Sequence, residues 1–144
     1  MEDILVRTLH FLGIFTLVSA LVAEHLLISK QMDLKAFKKL VIIDGVYGLG
    51  AVMTLTGGLL LWFVVGKPQE FYTANWVFHL KVTLFAVIAI LSVFPTYYFL
   101  RNRKTTAEYI EIPKYIVVIL RVELTLLVVM PFLATSMARG VGSY

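Results

Sequence analysis

Two long stretches of the chain, residues 45–66 and residues 82–100, contain no charged side chain. About 18 or more such residues are enough to cross the hydrocarbon of a bilayer as a helix. Lipid offers no hydrogen-bond partner to the backbone, so continuous helices are the expected form, and the alternation typical of barrel strands is absent. With 60% hydrophobic and 15% charged residues, the chain has too little charge to cover a soluble domain. It is predicted to be an integral membrane protein.

Hydropathy divides the single domain, residues 1–144, into four spans, which predicts an all-α bundle of four transmembrane helices. The spans lie at about residues 4–28, 40–65, 74–100 and 115–137. Gly50, Thr54 and Gly58 recur every four residues in the second span, and small residues at this spacing let two helix backbones approach closely. Pro95 in the third span removes a backbone donor and is expected to kink its helix.

Basic residues are concentrated in the loop after the first span and in the loop after the third. They are Lys30, Lys35, Lys38 and Lys39 in the first of these loops, and Arg101, Arg103, Lys104 and Lys114 in the second. The positive-inside rule therefore predicts that both loops are cytoplasmic and that both chain termini are outside. The net charge of +4 thus indicates membrane orientation rather than nucleic-acid binding. The absence of cysteine excludes disulfides and thiolate metal sites.

Two histidines lie at matching depth near the outer ends of the first and third spans. At about 1.5 Å per residue, His10 and His79 are each roughly 7–9 Å below the outer boundary. Two imidazoles on separate helices are what a haem between transmembrane helices needs as axial ligands to its iron. Arg7 and Lys81 are candidates to bind the haem propionates. Alternatively, each histidine bonds to a neighbouring helix and holds no ligand.

A second group of ionisable residues lies toward the cytoplasmic end. It contains Glu24 and His25 in the first span, Asp44 in the second, and Arg121 and Glu123 in the fourth. Ionisable side chains inside a membrane are costly and generally mark a function. The functional alternatives are a proton path, a divalent metal site at Glu24, His25 and Asp44, or a substrate anchor. The structural alternative is an ion pair of Arg121 with Asp44 or Glu24. Glu123 lies two residues from Arg121 and should therefore point to a different face of the helix.

Three regions of the sequence resemble the HemJ-type protoporphyrinogen oxidases and the related CopD-like membrane proteins. They are His10, the run Phe78-His79-Leu80-Lys81, and the run Arg121-Val122-Glu123. Over nearly its whole length the chain is more similar to a family of short bacterial membrane proteins of unknown function. The runs that carry this similarity include Leu9-His10-Phe11-Leu12-Gly13, Ala23-Glu24-His25, Asp44-Gly45-Val46-Tyr47-Gly48, Phe94-Pro95-Thr96 and Met137-Ala138-Arg139-Gly140.

The resemblance implies a bundle of four or five helices in the bacterial inner membrane. Through the HemJ type it also implies a haem b and oxidation of protoporphyrinogen IX, with a porphyrin substrate or a quinone as partner. Three hypotheses therefore stand: a haem-binding redox protein, a protein that transports or senses copper, iron or zinc, and a non-catalytic partner protein. Whether the protein is an enzyme, and whether it is a homodimer, stays open.

Overall fold

The computed structural model describes residues 1–143 and confirms an all-α bundle with four helices long and apolar enough to cross a membrane. The elements in chain order are α1 (Glu2–Leu27), β1 (Gln31–Asp33), α2 (Leu34–Leu60, continued by a π-helical turn at Leu61–Val65), α3 (Gln69–Thr73), α4 (Trp76–Asn102), β2 (Tyr109–Glu111) and α5 (Lys114–Ala138). Large apolar side chains such as Ile42, Val128 and Phe132 are two-thirds or more exposed, as is expected of a surface that faces lipid. The protein is thus a multi-pass membrane protein.

Helices α1 and α2 form the most extensive contact of the bundle. Three glycines make it close: a Cβ atom added at Gly13, Gly50 or Gly57 would lie 2.5–2.7 Å from an atom of the facing helix. Helix α1 also packs against α5, while α4 packs against α5 and, less extensively, α2. Over the described chain, α1 and α4 make no contact and occupy opposite corners of the bundle.

A short antiparallel sheet joins the two basic loops at one end of the bundle. Strands β1 and β2 pair with Met32 opposite Ile110, and both of these side chains are buried. The Asp33 carboxylate then accepts a hydrogen bond of 2.7 Å from the Ala36 amide and caps α2. As a result α2 begins at Leu34, a turn and a half before the predicted span, because hydropathy detects only the apolar part of the helix.

The opposite end is closed by the chain after α5. The Asn75 side chain is fully buried; its Oδ1 caps α4 by accepting from the Val77 amide at 2.9 Å, and its Nδ2 donates to the Val141 carbonyl at 3.1 Å. Gly142, at φ +86°, accepts a hydrogen bond from the Trp76 amide. Both chain ends therefore lie at the same end of the bundle, and the side of the membrane on which they lie stays a prediction.

Candidate functional site

Three acidic side chains from three different helices come together inside the bundle. Glu24 of α1 and Glu123 of α5 are each 1% exposed, and Asp44 of α2 is 5% exposed. They converge because α1 packs against both α2 and α5, and each acid lies on the buried face of its helix. We refer to Glu24, Asp44 and Glu123 as the carboxyl cluster.

Only one member of the carboxyl cluster receives a hydrogen bond. The Thr96 hydroxyl of α4 donates to Asp44 Oδ1 at 3.0 Å. Within residues 1–143, no donor reaches either carboxyl oxygen of Glu24 or of Glu123. The Asp44 carboxyl lies near the Glu24 carboxyl. Two carboxyl groups can bond to each other only if one of them carries a proton.

Hydroxyl groups line the side of the cluster that faces α4. The Tyr47 side chain, 3% exposed, lies one turn from Asp44 on α2 and near Ser92 of α4. The Ser92 hydroxyl donates to the Ala89 carbonyl at 2.7 Å, so its oxygen can accept from Tyr47. Pro95 is buried between Ser92 and Thr96, and it removes one backbone hydrogen bond from α4 at the level of the cluster.

The predicted ion pair of Arg121 is wrong. Arg121 is exposed, and in the part of the chain that the structure describes the single ion pair is Arg7 with Asp3, at 2.9 Å. The reason is helix geometry: residues two apart on an α-helix point in nearly opposite directions, so a buried Glu123 turns Arg121 outward. Among residues 1–143, no guanidinium or ammonium group therefore forms an ion pair with the carboxyl cluster.

The predicted metal site of Glu24, His25 and Asp44 is not assembled in the structure. His25 follows Glu24 directly, so its half-buried ring points away from the face that carries Glu24 and Asp44. Its Nδ1 atom is buried without a partner among residues 1–143. Within those residues, no group of three histidine or acidic side chains is placed to hold a metal ion.

The outer histidines have different local roles. Nδ1 of the half-buried His10 bonds to the Thr54 carbonyl at 2.8 Å, which leaves Nε2 free, as in most metal-binding histidines. His79 is exposed and uses Nε2 to bond to the Thr73 carbonyl at 2.7 Å. A ring nitrogen that donates to a carbonyl cannot also ligate iron, so each histidine could ligate only through its other ring nitrogen, Nε2 of His10 and Nδ1 of His79.

The two cations predicted to bind propionates also differ. Arg7 is occupied by Asp3, whereas the half-buried Lys81 makes no hydrogen bond to any residue from 1 to 143 and lies near His10. Haem b between His10 and His79 stays a prediction that these contacts do not favour.

Sequence reasoning missed three residues of the inner site: Tyr47, Ser92 and Thr96. Tyr47 could have been found from its spacing of three after Asp44, which puts both on one helix face. The two hydroxyl residues of α4 gave no comparable signal, because serine and threonine are ordinary in transmembrane helices.

Comparison with protein families gives one match. A family model described as "Predicted membrane protein (DUF2214)" matches residues 2–142. The comparisons with curated proteins and with solved structures found no match. The family match agrees with the predicted membrane family of unknown function, and it shows no relationship to the HemJ-type or CopD-like proteins.

Proposed function

The chain belongs to the family of predicted membrane proteins DUF2214, and we propose that it transports protons across the membrane. The carboxyl cluster is its proton-binding site. The observation that carries the proposal is the pair of fully buried glutamates, Glu24 and Glu123, whose oxygens receive no hydrogen bond from residues 1–143.

Charge compensation supports a bound proton. Burying an ionised carboxyl group costs several kcal/mol even when it has a partner. Within residues 1–143, none of the three carboxyl groups of the cluster forms an ion pair with a cationic side chain. A proton between Glu24 and Asp44 removes one charge and turns two facing acceptors into a hydrogen bond. Glu123 lies close enough to both for electrostatic interaction, so it is the next acceptor when the proton moves.

Access to the cluster differs between the two ends of the bundle. Toward the lysine-rich end, Glu24 lies one turn from the end of α1. Toward the other end, the same face of α1 presents the buried apolar residues Leu17 and Leu21. The cluster therefore lies closer to the lysine-rich end, and because Glu24 is itself 1% exposed, we expect protons to reach it from that side through a local opening of the bundle.

Helix α4 supplies the element that can change the access. Thr96 holds Asp44 through its hydroxyl group, and it directly follows Pro95. A proline inside a helix permits bending because one backbone hydrogen bond is missing. Movement of Thr96 with such a bend would release or restore the bond to Asp44, which couples protonation of the cluster to helix position.

Proton flux into proteoliposomes tests this proposal. A pH-sensitive dye inside the vesicles should report proton entry that depends on the wild-type protein and on an imposed pH gradient. Glu123→Gln should lose most of the flux, because an amide fills the same space without binding an exchangeable proton. The matched control is Glu70→Gln, at an exposed site on α3, which should leave flux unchanged. A Glu123→Gln protein that is folded and fully active, or a wild type without flux, would refute the proposal.

A haem-binding redox role stays a prediction beside this proposal, and the free Nε2 atom of His10 is the observation that favours it. The absorption spectrum of protein purified from haem-replete cells tests it. A Soret band lost in His10→Ala and kept in His79→Ala would support His10 as the single protein ligand. A colourless wild-type preparation would reject haem binding.

A further inference from the structure

Three lysines form a stripe on the first two turns of α2. Lys35, Lys38 and Lys39 follow the spacing of three and four residues that places side chains on one helix face, and all three are exposed. Ile42 continues the stripe one turn further along α2 and is 67% exposed. The stripe thus passes from cationic to apolar along a single face.

These residues line a shallow groove on the surface, together with Leu34. The groove begins at the lysines, where α2 leaves the polar loop, and ends at Ile42, which faces hydrocarbon. Its cationic part is held in place because α2 begins at Leu34, behind the Asp33 cap and the strand pair at Met32.

The lysines of the groove have no anionic partner in residues 1–143. The acid nearest in sequence, Asp33, uses its carboxylate to cap α2. Glu108 comes close through its backbone carbonyl, which accepts from the Leu34 amide, but it forms no ion pair with a lysine. These three exposed positive charges on two helical turns are therefore free to bind an anion from outside the chain.

We propose that this groove binds an anionic phospholipid of the surrounding bilayer. The lysine ammonium groups bind the headgroup phosphate, and one acyl chain lies along Ile42. A lipid fits better than a soluble anion because the groove joins a cationic end to an apolar end at the level where lipid headgroups meet hydrocarbon. Basic pockets at this level of transmembrane helices are a recurrent way to hold acidic lipids.

The test is lipid binding to the intact protein in detergent, measured by native mass spectrometry with phosphatidylglycerol and, separately, phosphatidylcholine. The variant replaces Lys35, Lys38 and Lys39 by glutamine. The matched control removes the same charge from the other basic loop, in Arg101→Gln, Arg103→Gln and Lys104→Gln. Replacing the three lysines by arginine keeps the charge and should keep binding.

We expect the wild type to prefer phosphatidylglycerol and the glutamine variant to lose affinity on the order of 100-fold, which corresponds to about 3 kcal/mol. The control variant should lose much less affinity for phosphatidylglycerol. Excess inorganic phosphate should not displace the lipid. An equal loss in variant and control would overturn the proposal in favour of diffuse charge attraction. Displacement by phosphate alone, or unchanged lipid affinity in the glutamine variant, would overturn it as well.

Discussion

Replacing Gly50 by alanine tests how closely α1 and α2 approach. The added Cβ would lie 2.5 Å from the Leu17 backbone nitrogen and 2.9 Å from its Cα. Since ordinary carbon contacts need about 3.5 Å or more, the two helices must separate by roughly 1 Å. Backbone atoms on both sides leave no flexible side chain to absorb the change. Overpacking of this kind destabilises by about 1–3 kcal/mol.

The assay is unfolding in mixed micelles of increasing denaturing detergent, followed by circular dichroism. Gly45→Ala on the same helix is the control, because nothing lies within 4 Å of a Cβ at that position. Alanine there should be neutral, or more stable by up to about 1 kcal/mol through helix propensity. The reasoning is refuted if Gly50→Ala unfolds at the same detergent fraction as Gly45→Ala, since the backbones could not then be in close contact.

Three further predictions follow from single contacts. Asn75→Ala removes both the cap of α4 and the bond to Val141, so we expect a loss of about 1–3 kcal/mol in unfolding free energy and faster amide exchange in residues 141–143. Thr96→Val should shift the carboxyl vibrations of Asp44, whereas Thr96→Ser, which keeps the hydroxyl group, should not; identical spectra for both variants would contradict the bond. Arg121→Gln should change the free energy of unfolding by no more than about 0.5 kcal/mol, because this exposed residue pairs with no acid in residues 1–143. A large loss of stability would instead indicate that Arg121 does form an ion pair.

Hydropathy was sufficient to predict the fold class, because uncharged stretches of membrane length leave helices as the only form. Small residues in α2 also indicated a close helix contact, and Gly50 and Thr54 lie in it. Which helix packs there was not predictable, because small residues carry no information about their partner. Gly57, which meets His10, lies outside the four-residue repeat that the sequence showed.

Depth along the spans placed Glu24 and Asp44 at a common level, and the structure brings them together. The ion pair expected of Arg121 is not formed, because depth along a span says nothing about the direction in which a side chain points. A charge that can reach lipid headgroups or water along the surface of the bundle has no need of a buried partner. Glu123, two residues later, lies on the inward face of the helix instead.

The contacts made by loops could not be predicted at all. Strands β1 and β2 are three residues each, too short for an alternating pattern to be recognised. Similarly, the bond from His79 to the Thr73 carbonyl depends on the short helix α3, which hydropathy does not reveal. This one contact engages Nε2 of His79 and leaves Nδ1 as the nitrogen that could bind iron.

The most direct test of the central claim is infrared spectroscopy of the purified protein in H₂O and in D₂O. A proton held between Glu24 and Asp44 predicts a carbonyl band of a protonated carboxyl group that shifts in D₂O. The band should be lost in Glu24→Gln and retained in Glu70→Gln. A wild-type spectrum with only ionised carboxylate bands, accompanied by a stoichiometric metal ion, would contradict the account, because a cation and not a proton would then compensate the cluster.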